Sequence, residues 1–262
     1  MIQLLKSILP YVGSSEVTLE HILPNIPLDS EVYIEPFCGS CATVLALLQT
    51  RPNHFYRIIC ADKDENVIGF WQEIQDYGVK FIDSLINFLS VHDAEEVFSR
   101  DSWGSYEQIM VFYIRMHCSV SSKGYGRVFS EARYYSLIDK FNKESFRESV
   151  AQCQELISPI NFYNVDFKEA IGVGASIGAS TGKKTVCFAD PPYLSEKEVS
   201  TQWYKHDKIS LTELKEALEW CDNFVLSHSP HSSLDMLFEG YKSKEVKLTR
   251  GVCKRKEVYI YK

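Results

Sequence analysis

The chain has 262 residues, 45% of them hydrophobic and 24% charged, with a formal net charge of −7. That length and balance suit one large α/β domain carrying an insertion, and the acidic total excludes a uniformly basic nucleic-acid coat while leaving room for local basic patches. No apolar run approaches the roughly 18–20 residues that span a bilayer, the first residues lack a signal-peptide pattern, and eight cysteines are too few for a disulfide scaffold, so an intracellular, cytoplasmic protein with reduced thiols is expected.

Residues 5–13 read as a short amphipathic start leading into a turn. Ser14-Ser15-Glu16 opens a helix expected to run to Ile22, closed by Pro24 and Pro27. Val32-Tyr33-Ile34-Glu35-Pro36-Phe37 is a strand, Cys38-Gly39-Ser40-Cys41 a tight turn of small residues, and 42–49 a strong helix former. A strand, a small-residue turn and a helix let backbone approach a nucleotide-like ligand. The next strand, 57–61, ends on Asp62, an acid about twenty positions after the glycine turn, which suits ribose hydroxyls.

From Asn66 to Val150 the pattern changes. Helical periodicity runs through 67–74, 79–89, 106–116 and 134–146 with no strand pair. Residues 81–150 are therefore expected to be an inserted helical subdomain. The remaining pieces, 1–80 and 151–262, form the main domain. The insertion carries a basic island with interleaved aromatics, Lys123-Gly124-Tyr125-Gly126-Arg127 and Arg133, and residues 241–262 hold eight Lys or Arg against two Glu.

Strand alternation returns at 161–165, ending on Asp166-Phe167. The Gly-, Ala- and Ser-rich stretch 171–184 reads as a flexible loop. Thr185-Val186-Cys187-Phe188-Ala189 is a buried strand, and it stops at Asp190-Pro191-Pro192-Tyr193. Two successive prolines cannot extend a sheet, because each lacks an N–H and fixes its own φ. The strand ends in a stiff corner with a carboxylate, carbonyl acceptors and an aromatic face, a shape able to hold a flat amine. Residues 195–207 read as a loop over a site. Ser210 caps a helix with Glu213 at capping-box spacing. A strand at 223–228, a short helix near 232–238 and two terminal strands follow. The alternation predicts a mostly parallel sheet with an antiparallel C-terminal hairpin.

Several patterns point elsewhere. Cys38-Gly39-Ser40-Cys41 is a C-x-x-C at a helix mouth, where a redox pair would sit. No second Cys or His pair has zinc spacing, and no metal is expected. Gly172-Val173-Gly174 lacks a following helix in this reading, and Gly178–Lys184 is an imperfect P-loop, its first glycine interval short and Lys184 standing where Ser or Thr is needed. His228, His231 and Cys118 read as structural.

The strand ends at Phe37–Cys41, Asp62, Asp166-Phe167 and Asp190–Tyr193 would share one crevice, since ligands of an open sheet lie beyond its carboxyl edge. This set, in this order, resembles the Dam-type DNA adenine-N6 methyltransferases over nearly the whole chain. The most specific element is Asp-Pro-Pro-Tyr after an apolar strand. Tyr11 and Gly13 fit the family's N-terminal pattern, with Ser14 or Ser15 in place of its lysine. The resemblance implies a Rossmann-like class I methyltransferase sheet binding S-adenosyl-L-methionine. It implies cofactor contacts at Tyr11, Gly13, Glu35, Phe37, Gly39, Asp62, Asp166 and Phe167, and catalysis at Asp190, Pro191, Pro192 and Tyr193 on an adenine flipped out of DNA, expected to be duplex. The insertion would read the site, with Lys123, Arg127 and Arg133 as candidate DNA contacts. An RNA adenine methyltransferase, a catalytically weakened nucleic-acid-binding relative and a C-x-x-C redox protein are the alternatives.

Overall fold

A seven-stranded sheet organises the molecule. The computed structural model describes residues 4–11, 18–119, 129–192, 209–250 and 253–262, without the side chains of 248–250 and 253–255. The strands are β1 (Val32–Glu35), β2 (Arg57–Ala61), β3 (Ile160–Tyr163), β4 (Thr185–Ala189), β5 (Asn223–His228), β6 (Lys242–Arg250) and β7 (Cys253–Tyr261). Their order is β3-β2-β1-β4-β5-β7-β6. Neighbours from β3 to β5 pair in parallel, and β7 runs antiparallel to both β5 and β6. This is the mostly parallel α/β sheet expected from the sequence, with its antiparallel C-terminal hairpin.

The inner strands are apolar on both faces because helices cover both. Tyr33, Ile58, Cys60, Val186, Phe188, Val225 and Tyr259 turn into one core. Val32, Ile34, Ile59, Cys187, Ala189, Phe224, Leu226 and Ile260 turn into the other. The period of two along each strand makes this division. The first core is shared with α2 (Ala42–Thr50) and with a run of helices between β2 and β3, namely α3 (Glu65–Tyr77), α4 (Val79–Val91), α5 (Ala94–Ser99), α6 (Ser105–Cys118), α7 (Glu131–Tyr135), α8 (Leu137–Asn142) and α9 (Glu144–Ile157). The second is covered by α10 (Phe167–Thr181), α11 (Leu211–Leu218) and α12 (Ser232–Leu237). Ser210 caps α11 by accepting the Glu213 N–H at 3.3 Å, as the spacing predicts.

The expected helix start at Ser14-Ser15-Glu16 lies outside the described residues; the described N-terminal helix α1 is Leu19–Ile22, continued by a 3-10 turn at Leu23–Asn25 that takes in Pro24. One expectation changes: 171–184 is no loop. It is most of α10, begun by Asp166, whose carboxylate accepts the N–H groups of Lys168 and Glu169 at 2.9 and 3.1 Å, and ended by Gly182 at φ +68°. The small residues serve packing rather than flexibility. A Cβ on Gly174 would lie 2.2 Å from Ile34 Cδ1, and one on Gly178 would lie 2.4 Å from Thr185 Cγ2. The helix can therefore lie against β1 and the start of β4 only where it has no side chain. The Gly172–Gly174 and Gly178–Lys184 patterns fall within this helix and its C-terminal end, and Gly174 and Gly178 serve the contact.

The sheet reverses its winding between β1 and β4. Their carboxyl ends bound the crevice where open α/β sheets bind ligands. Among the described residues no helix is long and apolar enough to cross a membrane.

The Gly174 contact is testable. Gly174→Ala should cost about 1–3 kcal/mol by overpacking a core that has no space for the methyl. Adding Ile34→Val, which removes the nearest atom, should recover part of that loss. Denaturant midpoints of the single and double variants decide it, and an unchanged midpoint in Gly174→Ala would refute the close approach.

Candidate active site at the switch point

The turn after β1 is held from three directions. Asp62, at the end of β2, accepts the Gly39 N–H on Oδ2 at 3.1 Å and the Asp64 N–H on Oδ1 at 3.0 Å. The Cys38 N–H donates to the Ala61 carbonyl at 2.9 Å. From α3, Trp71 Nε1 donates to the Gly39 carbonyl at 2.8 Å. From the N-terminal segment, Ser7 Oγ donates to the Ser40 carbonyl at 2.6 Å, and the Tyr11 ring covers Gly39. A Cβ there would meet Tyr11 Cδ1 at 2.9 Å, and Gly39 sits at φ +41°. Glycine is required at this position on both counts.

The Glu35 carboxyl closes the other side of the turn. It accepts the Tyr33 hydroxyl at 2.8 Å and the Val44 N–H in the first turn of α2, satisfying one of the donors that a helix start leaves unpaired. It is 3% exposed. Burial raises this carboxyl to about 8; the Tyr33 hydroxyl opposes the rise, the Asp190 charge adds to it, and the Val44 N–H opposes it again. Glu35 is therefore a neutral acid near pH 7. Burial likewise raises Asp62 to about 7, against the amide donors that favour its charge.

Asp190 follows β4 on the opposite bank, half-buried, with Pro191 buried and Pro192 half-buried behind it. Its charge reaches Glu35 from β1 and Tyr259 from β7. Tyr259 donates to Glu257 at 2.5 Å, and both are buried. On the far side of β2, Asp166 caps α10 while Phe167 stacks on Phe37 with centroids 5.7 Å apart. The two rings make an apolar wall beside the turn.

Of the residues singled out in the sequence, Tyr11, Glu35, Phe37, Gly39, Asp62, Asp166, Phe167, Asp190, Pro191 and Pro192 gather along one edge of the sheet. Gly13, Tyr193, Lys123 and Arg127 lie outside the described residues. Arg133 stands apart in α7, where it donates to the Ser119 carbonyl at 3.1 Å. It lies beside the antiparallel bridge between Ser119 and Phe129.

Trp71, Ser7 and Tyr33 went unnoticed in the sequence because nothing in their spacing sets them apart from core or turn residues. His228 was read as structural. It ends β5, fully buried, and the register that pairs Ala189 with Leu226 brings it alongside Pro191. Its Nδ1 lies 2.7 Å from the Ser229 carbonyl, which can only accept, so Nδ1 carries the proton.

The C-x-x-C pair is not a redox centre. Both thiols are buried. Burial pushes Cys38 up to about 12 and Cys41 well above its ordinary value, the opposite of what an attacking thiolate needs. Among the described residues no group of His, Cys, Asp and Glu is arranged to hold a metal ion.

A family model described as D12 class N6 adenine-specific DNA methyltransferase matches residues 11–252. Two solved structures of the rRNA methyltransferase aviRa from Streptomyces viridochromogenes are similar at 13% identity, covering 92% of this chain and 80% of that one, with TM-scores of 0.40 and 0.39. No curated protein matches the chain.

Glu35 should leave a signature in the pH dependence of stability. Its unfolded-state carboxyl titrates near 4.5 and its folded one near 8. Between those values the unfolded chain has released a proton that the folded chain keeps, so stability falls as pH rises through this window and levels off above it. Glu35→Gln keeps an acceptor for Tyr33 and removes the titration. Urea midpoints at pH 5 and pH 8.5 should show a larger loss in the unsubstituted protein than in the variant, and equal losses would overturn the assignment.

Proposed function

The chain belongs to the D12 class N6 adenine-specific DNA methyltransferase family, and from that premise we propose that it moves a methyl group from S-adenosyl-L-methionine to an adenine flipped out of duplex DNA, at the crevice between β1 and β4. One observation carries the reading. The clamped Gly39 turn and the Asp190-Pro191-Pro192 corner face each other across the switch point, with the buried carboxyls of Glu35 and Asp62 on one bank and the half-buried Asp190 on the other. The donor supplies an electrophilic methyl on a sulfonium.

The residues present fit that group. Gly39 offers backbone where any side chain would strike Tyr11. Asp62, already tied to that turn, stands at the end of β2 where ribose hydroxyls would meet it. The Phe37–Phe167 wall suits a purine face, with Asp166 at its edge. Glu35, Asp62 and Asp190 together favour a positive charge in the crevice.

Adenine N6 is a poor nucleophile because its lone pair is delocalised into the ring. The Asp190 carboxylate and the Pro191 carbonyl accept hydrogen bonds from that amine, favour a more tetrahedral nitrogen and stabilise the positive charge developing there. The prolines keep these acceptors in place before the base arrives, so catalysis is largely positioning. Tyr193 supplies a stacking face. A base inside a duplex cannot reach the corner, so it must be extruded. In this reading the helices of 81–150 form the target-recognition subdomain, and Lys123, Arg127 and Arg133 contact the DNA.

Labelled methyl transfer to duplex DNA, RNA and protein tests the substrate class. Label is expected in the adenines of DNA, and label confined to RNA would overturn the reading. Asp190→Ala should lower transfer by about a hundred- to a thousand-fold, as expected when a transition-state acceptor is lost, while donor binding by calorimetry is retained.

Donor binding should also release protons. Asp62 titrates near 7 and Glu35 near 8, and a bound sulfonium with ribose hydroxyls on Asp62 favours both carboxylates. Calorimetry in buffers of different ionisation enthalpy should show release of roughly 0.5–1 proton at pH 7, fading towards pH 9.5. Asp62→Asn should reduce the release, and identical heats in every buffer would overturn the acid assignments.

A further inference from the structure

The terminal hairpin is longer than the sheet needs. Pairing between β5 and β7 ends at His228 and Val258, but pairing between β6 and β7 continues to Arg250 and Cys253. Because β7 is antiparallel to β5, the excess leaves the sheet at the carboxyl end of β5, the edge that also carries Asp190, Glu35 and Asp62. From Val258 to Cys253 is five steps, which at about 3.4 Å each projects the ribbon about 17 Å past the sheet.

The projection is strongly basic. Residues 246–257 hold Lys247, Arg250, Lys254, Arg255 and Lys256 in a chain of net charge −7. Their one carboxylate, Glu257, is buried and accepts the Tyr259 hydroxyl. Lys247 is exposed, and Lys256 pairs with Glu245 at 2.8 Å with about half of its side chain open to solvent. Register places positions 247, 254 and 256 on one face of the ribbon and 250 and 255 on the other. Lysines alone guard many edge strands. In the projection both β6 and β7 are edge strands, but five cations against one buried carboxylate make a patch of a single sign, beyond what guarding an edge requires.

We propose that this ribbon is a second DNA-binding element, which grips backbone phosphates on one side of the flipped adenine. The inference rests on the DNA reading above and extends it. The helical insertion joins β2 to β3 at one end of the sheet, and the ribbon stands at the other. Two elements outside the catalytic corner therefore flank it. β7 lies two strands from β4, about 10 Å away, or about three nucleotides along one strand of DNA. The ribbon would meet phosphates beyond the target base, and holding them helps to keep the extruded base out of the stack.

The test is a four-fold variant, Lys247→Gln, Arg250→Gln, Lys254→Gln and Arg255→Gln, which spares the Lys256–Glu245 pair. Duplex binding is measured against salt, along with methyl-transfer kinetics, donor calorimetry and thermal unfolding. Each lost phosphate contact flattens the log–log salt dependence by about 0.9. The variant should show a slope shallower by about 2–4, at least about ten-fold weaker binding at roughly 0.1 M salt, and a raised KM for DNA with kcat within about two-fold. An unchanged slope and KM with normal donor binding would overturn the ribbon's role. Should the four-fold variant fail to fold, the pairs Lys247→Gln/Lys254→Gln and Arg250→Gln/Arg255→Gln carry the same readout, each expected to flatten the slope by about 1–2. An unsubstituted protein that methylates no DNA would refute the DNA reading itself; an active one whose variants match it refutes only the ribbon.

Discussion

The site depends on the hydrogen bond from the Gly39 amide to the Asp62 carboxylate. Gly39 belongs to the turn after β1 and Asp62 to the end of β2, so this contact ties two strand ends together at the mouth of the crevice. Gly39 and Cys41 both sit at positive φ, a region that favours glycine and carries strain for cysteine. Supports from β2, α3 and the N-terminal segment over-determine the turn. The result is a preformed turn, held by Asp62, Trp71 and Ser7 and covered by the Tyr11 ring.

Burial gives the site a reserve of negative charge that is not expressed at rest. Glu35 and Asp62 are both raised towards or above neutrality, chiefly by burial. The Asp190 charge adds to the rise at Glu35 and the Asp64 charge to that at Asp62, and protonation relieves both repulsions. Glu35 can be neutral without being lost to the architecture, since the Tyr33 hydroxyl and the Val44 amide still find an acceptor in its carboxyl. A cation entering the crevice would draw the protons off and meet carboxylates. The fold thus tolerates acids whose charge is useful only when a positive ligand is present.

Much of this was legible in the sequence. The glycine turn, the acid after β2 and the double proline each break a regular pattern for a physical reason, and each reason is local. The sheet and its direction followed from the alternation of strands and helices. The error at 171–184 has an equally physical origin. Gly174 and Gly178 lower helix propensity locally, and what makes the segment helical is its approach to Ile34, distant in sequence, and to Thr185 in the strand that follows. Trp71 and Ser7 escaped notice because their donors act across 32 and 33 residues, a separation at which periodicity carries no information. The C-x-x-C spacing was visible, but its burial was not, and burial decides its chemistry.

The helices between β2 and β3 show how a thick helical layer can be added to a sheet without a second core. Phe70, Phe81, Tyr113 and Phe141 belong to the same buried cluster as Tyr33 and Phe188 of the sheet. Phe70 stacks on Tyr113 at 4.6 Å, and Tyr113 stacks in turn on Phe141 at 5.8 Å. The Tyr113 hydroxyl donates to the Ile8 carbonyl at 3.0 Å, in the same N-terminal segment whose Ser7 and Tyr11 brace the Gly39 turn. Packing inside the helical layer and the shape of the turn therefore share a physical connection. A displacement of α6 would act on the segment that covers Gly39, so the layer that would meet DNA is not mechanically separate from the cradle proposed for the methyl donor.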